Sequence, residues 1–180
     1  MLNSDKPEMT RLGTLAVFVL LLLGSDAMVE RAAGQQTPLG AQLAGTWTLI
    51  SWEQTNPDGS KQQQFGANPA GIAFFDAAGH YIISVMRSDR ANYKIDNFGQ
   101  LAQITGEEGK ATALGTITYF GTYKVNEAGR VIAIHVDASS FPNWNGNDLE
   151  RLFDVTQDRL KLTVRPPRGG TVDVLWKRAS

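Results

Sequence analysis

YFGTYKVNEAGRVIAIHVDASSFPNW, residues 119–144, is the stretch on which the fold turns. Two runs of alternating residue character flank the turn Asn126-Glu127-Ala128-Gly129, the pattern of two half-buried strands joined as a hairpin. In the first strand Tyr119, Gly121, Tyr123 and Val125 share one face, and Phe120, Thr122 and Lys124 share the other. The Lys124 ammonium belongs in water, so the tyrosine face should point inward. In the second strand the greasy triplet Ile132, Ile134 and Val136 opposes Val131, Ala133, His135 and Asp137. Burial of the triplet makes His135 a surface residue. The opposite arrangement puts His135 into the interior, where its near-neutral titration would suit it to acid–base work. Residues 139–147, punctuated by Pro142 and Gly146, then offer Trp144 either as a cover for a barrel mouth or as a shield for a hairpin.

The same rhythm extends in both directions. Strands are expected over 45–55, 69–76, 80–87, 116–126, 130–138, 148–156, 159–165 and 171–178, separated by turn chemistry such as Asn56-Pro57-Asp58-Gly59 and Asp76-Ala77-Ala78-Gly79. In the first of these, strict alternation puts Trp47, Leu49 and Ser51 on one face and Thr48, Ile50 and Trp52 on the other. Eight strands at near-regular spacing, mostly joined by hairpins, predict an all-β, eight-stranded antiparallel up-and-down barrel, because closure removes exposed edges. A two-sheet sandwich satisfies the same pattern. Residues 88–115 interrupt it: Phe98, Leu101, Ala102, Ala111 and Leu114 suggest short helical turns or a loop inserted between strands 3 and 4.

Ahead of the strands, Lys6 and Arg11 precede a 12-residue apolar run, 12–23, followed by small residues at 25–27 and 32–34. That order describes a secretory signal over residues 1–34, with a cut after residue 27 as one option; an uncleaved membrane anchor is its rival, although the run falls short of the roughly 20 residues of a bilayer span. Residues 35–42 read as a linker into a domain over 43–180, which places the protein in the periplasm or outside the cell. Removing residues 1–34 takes away Lys6, Arg11 and Arg31 with Asp5, Glu8, Asp26 and Glu30, leaving 14 charges of each sign. A neutral domain has no cationic surplus for nucleic acid, and none of its segments calls for membrane insertion. Oligomeric state is not legible. Cysteine is absent and only His80 and His135 are present, so neither a metal site nor a thiol nucleophile is expected. No phosphate-binding or dinucleotide fingerprint occurs, and no cofactor is expected.

Three pieces of the domain resemble the bacterial lipocalin-like domain family: Leu43-Ala44-Gly45-Thr46-Trp47 at the start, Tyr119-Phe120-Gly121-Thr122-Tyr123 with Ile134-His135-Val136 and Pro142-Asn143-Trp144 in the middle, and Leu175-Trp176-Lys177-Arg178 at the close. The resemblance implies a barrel whose Trp47 plugs one end with Arg178 across its ring, both in structural roles. It also tips the reading of His135 toward the interior.

Two further residues bear on the site. Arg151 shares parity with Phe153 and Val155, and Arg87 shares parity with Tyr81, Ile83 and Val85, so each stands on an apolar face. Either they snorkel from strand ends, or they need Asp76, Asp137, Asp154 or an anionic ligand as partner. The expected binding set is therefore Arg87, Tyr119, Tyr123, His135, Trp144 and Arg151, holding a small, largely apolar molecule in the barrel mouth. Two alternatives stand beside it. One is an isomerase- or cyclase-like enzyme with His135 as acid–base. The other is a structural or stress-related envelope protein whose barrel is packed solid.

Overall fold

The computed structural model describes residues 37–180, and the expected signal segment lies outside them. The strands are β1 (Gly45–Thr55), β2 (Lys61–Gln62), β3 (Ala70–Phe75), β4 (His80–Met86), β5 (Thr116–Asn126), β6 (Val131–Ser139), β7 (Asp148–Val155), β8 (Arg159–Val164) and β9 (Thr171–Arg178). All pairings are antiparallel, consecutive strands from β3 to β9 are neighbours, and β1 pairs with both β3 and β9. That double pairing closes an eight-stranded barrel, with β2 a two-residue flap on the end of β1. Closure gives each long strand among the described residues a partner on both sides, which limits the exposed edge that could template aggregation. The sandwich alternative is thereby discarded.

Alternation turns the barrel's inner wall apolar. Ile83 and Val85 of β4, Ile132, Ile134 and Val136 of β6, Phe153 and Val155 of β7, Leu160 and Leu162 of β8 and Val172 and Val174 of β9 are all buried. In β1 the strict alternation fails. The register against β9 skips Ile50, so Leu49 faces Trp176 and Trp52 faces Val174. One inserted residue shifts the period by one, and Trp52 joins Trp47 and Leu49 on the inner face instead of opposing them. Its ring meets Phe65 edge-on at 5.0 Å. A second bulge lies in β6, where Asp137 is the extra residue between Val136 and Ala138, which face Gly121 and Phe120 of β5. A Cβ on Gly121 would stand 2.0 Å from the His135 carbonyl oxygen, so only glycine permits the strands to close here.

The two ends of the barrel differ. One carries the hairpin turns β3–β4, β5–β6 and β7–β8, together with a short helix α1 (Leu39–Leu43) where a linker was expected. Leu43 is fully buried there, and Trp47 Nε1 donates to the Leu43 carbonyl at 2.9 Å. The other end carries the longer connections. Between β4 and β5 run a 3-10 turn (Phe98–Gln103) and α2 (Gly106–Leu114), the latter started by a Thr105–Glu108 capping box. None of their residues is buried, and Phe98 and Leu114 stand in solvent, so this insertion adds little to the core.

Candidate functional site

At the β6–β7 end, Pro142 opens a single 3-10 turn that carries Trp144. The loop is tied down by Ser139 N–H donating to Asn145 Oδ1 at 2.8 Å, by Asn147 Nδ2 donating to the Asn143 carbonyl at 2.7 Å, and by Gly146 N–H donating to the Val136 carbonyl at 2.7 Å. These bonds hold the half-buried Trp144 ring against Tyr119, edge-on at 5.2 Å, and beneath Phe141 at 5.7 Å. Tyr119 in turn meets Tyr81 edge-on at 5.8 Å. Aromatic pairs in this geometry add about 0.5–1.5 kcal/mol each beyond burial.

Arg151 completes the group. It projects inward from the middle of β7, is 7% exposed, and is the one buried charged side chain among the described residues. Its guanidinium carbon stands 5.8 Å from the Trp144 ring centroid. Nη1 donates to the Glu150 carbonyl at 2.8 Å. Among the described residues no carboxylate lies within 4.0 Å of it. The acids that were its candidate partners are committed elsewhere: Asp76 to His80 at 2.9 Å, Asp154 to Arg130, and Asp137 to the neighbourhood of His135 at 3.9 Å.

Burial pushes the Tyr119 hydroxyl above the usual tyrosine range, and the nearby Arg151 charge pulls partly against it. Burial likewise pushes Tyr81 up, reinforced by Tyr119 and opposed by Arg151. Tyr81 was not among the sequence candidates. Its signal was present, since it shares the inward parity of Ile83 and Val85, but its partners become visible only when β4 is set against β5. Its hydroxyl reaches toward the His135 carbonyl at 3.4 Å, beside Gly121.

The structure separates the remaining candidates from this cluster. His135 is corrected: it lies on the outer wall, its side chain 45% exposed, with Nδ1 2.7 Å from Asp148 Oδ1. The apolar triplet Ile132, Ile134 and Val136 wins the interior because burying three aliphatic side chains outweighs burying one imidazole. Arg87 is also removed. It follows the last residue of β4 and reaches the solvent rim, where Nε and Nη2 bind Asp89 at 2.8 and 2.7 Å. Tyr123 lies toward the hairpin end, where its hydroxyl donates to the Asp76 carbonyl at 2.6 Å and its ring meets Phe75 edge-on at 5.3 Å. There too Arg178 lies 4.1 Å over the Trp47 ring, donating to the carbonyls of Ala44 at 3.0 Å, Gln42 at 2.6 Å and Gln157 at 2.6 Å.

The described interior is filled largely by side chains, with Trp47, Trp176 and Phe75 among the largest fully buried. Two grooves, of about 200 and 360 Å³, lie away from the cluster: one against Glu150, Leu152 and Arg165, the other between α1 and the β3–β4 turn. Neither is lined by Arg151, Tyr119 or Trp144.

A closed barrel of eight antiparallel strands, plugged at one end by a tryptophan under an arginine, defines a lipocalin-like β-barrel protein. The chain belongs to the family described as lipocalin-like domain, whose model matches residues 44–178. No curated protein sequence matches it. Among solved structures it is similar to a redesigned β-barrel (TM-score 0.41, 12% identity, 81% of this chain and 98% of that one). It is also similar to a de novo designed fluorescence-activating β-barrel (TM-score 0.40, 13% identity, 79% and 99%). A third likeness is to a redesigned β-barrel bound to DFHBI (TM-score 0.37, 16% identity, 79% and 100%).

Proposed function

We propose that the protein binds a small, largely apolar molecule at the β6–β7 end of its barrel, on the surface made by Tyr81, Tyr119, Arg151 and Trp144, and does not transform it. The observation that carries this reading is the concentration of polarity at one point of an otherwise apolar inner wall. Arg151 and two tyrosine hydroxyls are gathered there under a tryptophan that a short loop presents edge-on. A few convergent polar groups in apolar surroundings are how small-molecule sites fix orientation. The isomerase or cyclase alternative loses its proton-transfer residue with His135 on the outer wall. The phenols that remain hold their protons too tightly to act as bases near neutral pH.

The extent of side-chain filling favours a second reading, a solid structural barrel. Native mass spectrometry of the protein as purified, with a fluorescence titration of wild type and Trp144→Ala, separates the two. The binding reading expects a retained or titratable small molecule, with emission changes that depend on Trp144 and a faster release once the ring is gone. A protein that carries nothing and responds to no probe is a structural barrel. Export remains part of the proposal, supported by the basic, apolar and small-residue order of residues 6–34. The N-terminal sequence of the protein recovered from the host's periplasm or medium tests it. A mature chain beginning between residues 28 and 35 is the expected result.

A further inference from the structure

Polar groups on the inner wall are unbalanced in kind. Arg151 brings five N–H donors and a full positive charge, and the described residues give it the Glu150 carbonyl but no carboxylate. Two other donors, Trp52 Nε1 and Trp176 Nε1, are buried with no acceptor among the described residues. Both rings stand on the inner face, Trp52 opposite Val174 and Trp176 opposite Leu160. Among the described residues no aspartate or glutamate is buried. A buried charge is ordinarily paired, because leaving it alone in a poorly polarisable interior costs several kcal/mol. The barrel thus gathers donors without the acceptors that would normally accompany them.

We propose that the molecule bound at this end is an organic acid, its carboxylate received by the Arg151 guanidinium beside the Tyr119 hydroxyl and its apolar body seated against Trp144. The planar fork of arginine matches a carboxylate with two parallel N–H···O bonds, and a phenol that keeps its proton donates a third. The ligand's charge then neutralises the one buried charge among the described residues. Its body lies along rings that present their edges, the Trp144 and Tyr119 pair. This deepens the binding reading above and rests on it.

The test uses the intact domain and three acid–amide pairs that differ only in charge: 3-phenylpropanoate with 3-phenylpropanamide, naphthalene-1-acetate with naphthalene-1-acetamide, and octanoate with octanamide. Calorimetric titration of each is expected to give, for at least one pair, an acid that binds ten times or more tighter than its amide. Arg151→Gln should abolish that preference, the acid falling to the affinity of its amide. Acid and amide binding equally to the wild type would overturn the carboxylate assignment and leave the binding reading standing. No heat from any of the six overturns both. Arg151→Met adds a readout that needs no ligand. If the guanidinium awaits an anion, its replacement by an apolar chain of similar length leaves the melting temperature unchanged or raises it. A fall of several degrees would mean that its protein partners already satisfy it, and the proposal would be wrong.

Discussion

The two ends of this barrel are built from the same pair of residue types with opposite outcomes. At the hairpin end Arg178 lies 4.1 Å over Trp47 and donates to three backbone carbonyls, while Trp47 Nε1 donates to a fourth. At the β6–β7 end Arg151 stands farther from Trp144, at 5.8 Å, and has one carbonyl for its five donors. The first arrangement is closed upon itself: α1, the start of β1 and the β7–β8 turn are stitched by one guanidinium. The second has donors to spare. A cation over an indole is therefore a seal where its hydrogen bonds go to the backbone, and a receptor where they do not.

Removing each arginine breaks that comparison with the largest effect at the sealed end. Arg178→Ala strips three charge-assisted hydrogen bonds and the ring contact, and it leaves carbonyls that had been satisfied without a donor. The expected loss is about 3 kcal/mol or more, read as a shift of the urea midpoint at constant slope. Arg151→Met, in the same experiment, should show none of it. Equal losses from the two substitutions would erase the distinction between the ends.

Much of this was legible in the sequence, for reasons that differ from place to place. The strand positions follow from period-2 alternation and from turns such as Asn56–Gly59, whose chemistry is local. Trp52 was misplaced because the bulge at Ile50 depends on how β1 registers on β9, a long-range fact that no run of eleven residues carries. The inward direction of Tyr119 could be argued from Lys124 on the opposite face. For β6 both faces made sense alone, and the resemblance to a family drew His135 the wrong way. Counting the apolar area on each face decides it correctly. Arg87 and Arg151 looked alike in parity, yet one sits past its strand's end with Asp89 two residues on, whereas the other is mid-strand. Position along the strand, rather than face, separates the snorkelling arginine from the buried one.

A smaller effect should appear at alkaline pH, and it probes the coupling between Arg151 and the phenols. Tyr81 and Tyr119 both have folded-state values raised above the ordinary value of about 10. Over that range the native state keeps protons that the unfolded chain has released, so the unfolded state gains relative to the native one as pH rises. The stability these groups contribute is complete below about pH 10 and is lost as pH climbs through their folded values. Tyrosinate absorbance should therefore rise together with the loss of circular dichroism, and the melting temperature of Tyr81→Phe should fall less steeply above pH 10. In Arg151→Met the opposing charge is gone, and Tyr119 should resist ionisation further still. Free titration of every tyrosine near pH 10 with the fold intact would contradict the burial of these hydroxyls.

The smallest effect belongs to His135, and its smallness is the informative part. The ring is nearly half exposed and pairs at 2.7 Å with Asp148, itself 85% exposed at the start of β7. Pairs held in this much water contribute about 0–1 kcal/mol, because solvent screens the attraction and two side chains lose freedom to form it. His135→Ala should leave the urea midpoint within that range and leave the affinity for any acid in the panel unchanged. The backbone at this position is another matter: the His135 carbonyl crowds Gly121 and receives the Tyr81 hydroxyl, contacts that alanine preserves. A variant that loses binding while keeping its stability would place the imidazole in the site after all, and would reopen the acid–base reading on the one residue suited to it. Unchanged binding assigns the two walls of β6 their separate work, with the aliphatic triplet packing the barrel and the histidine facing water.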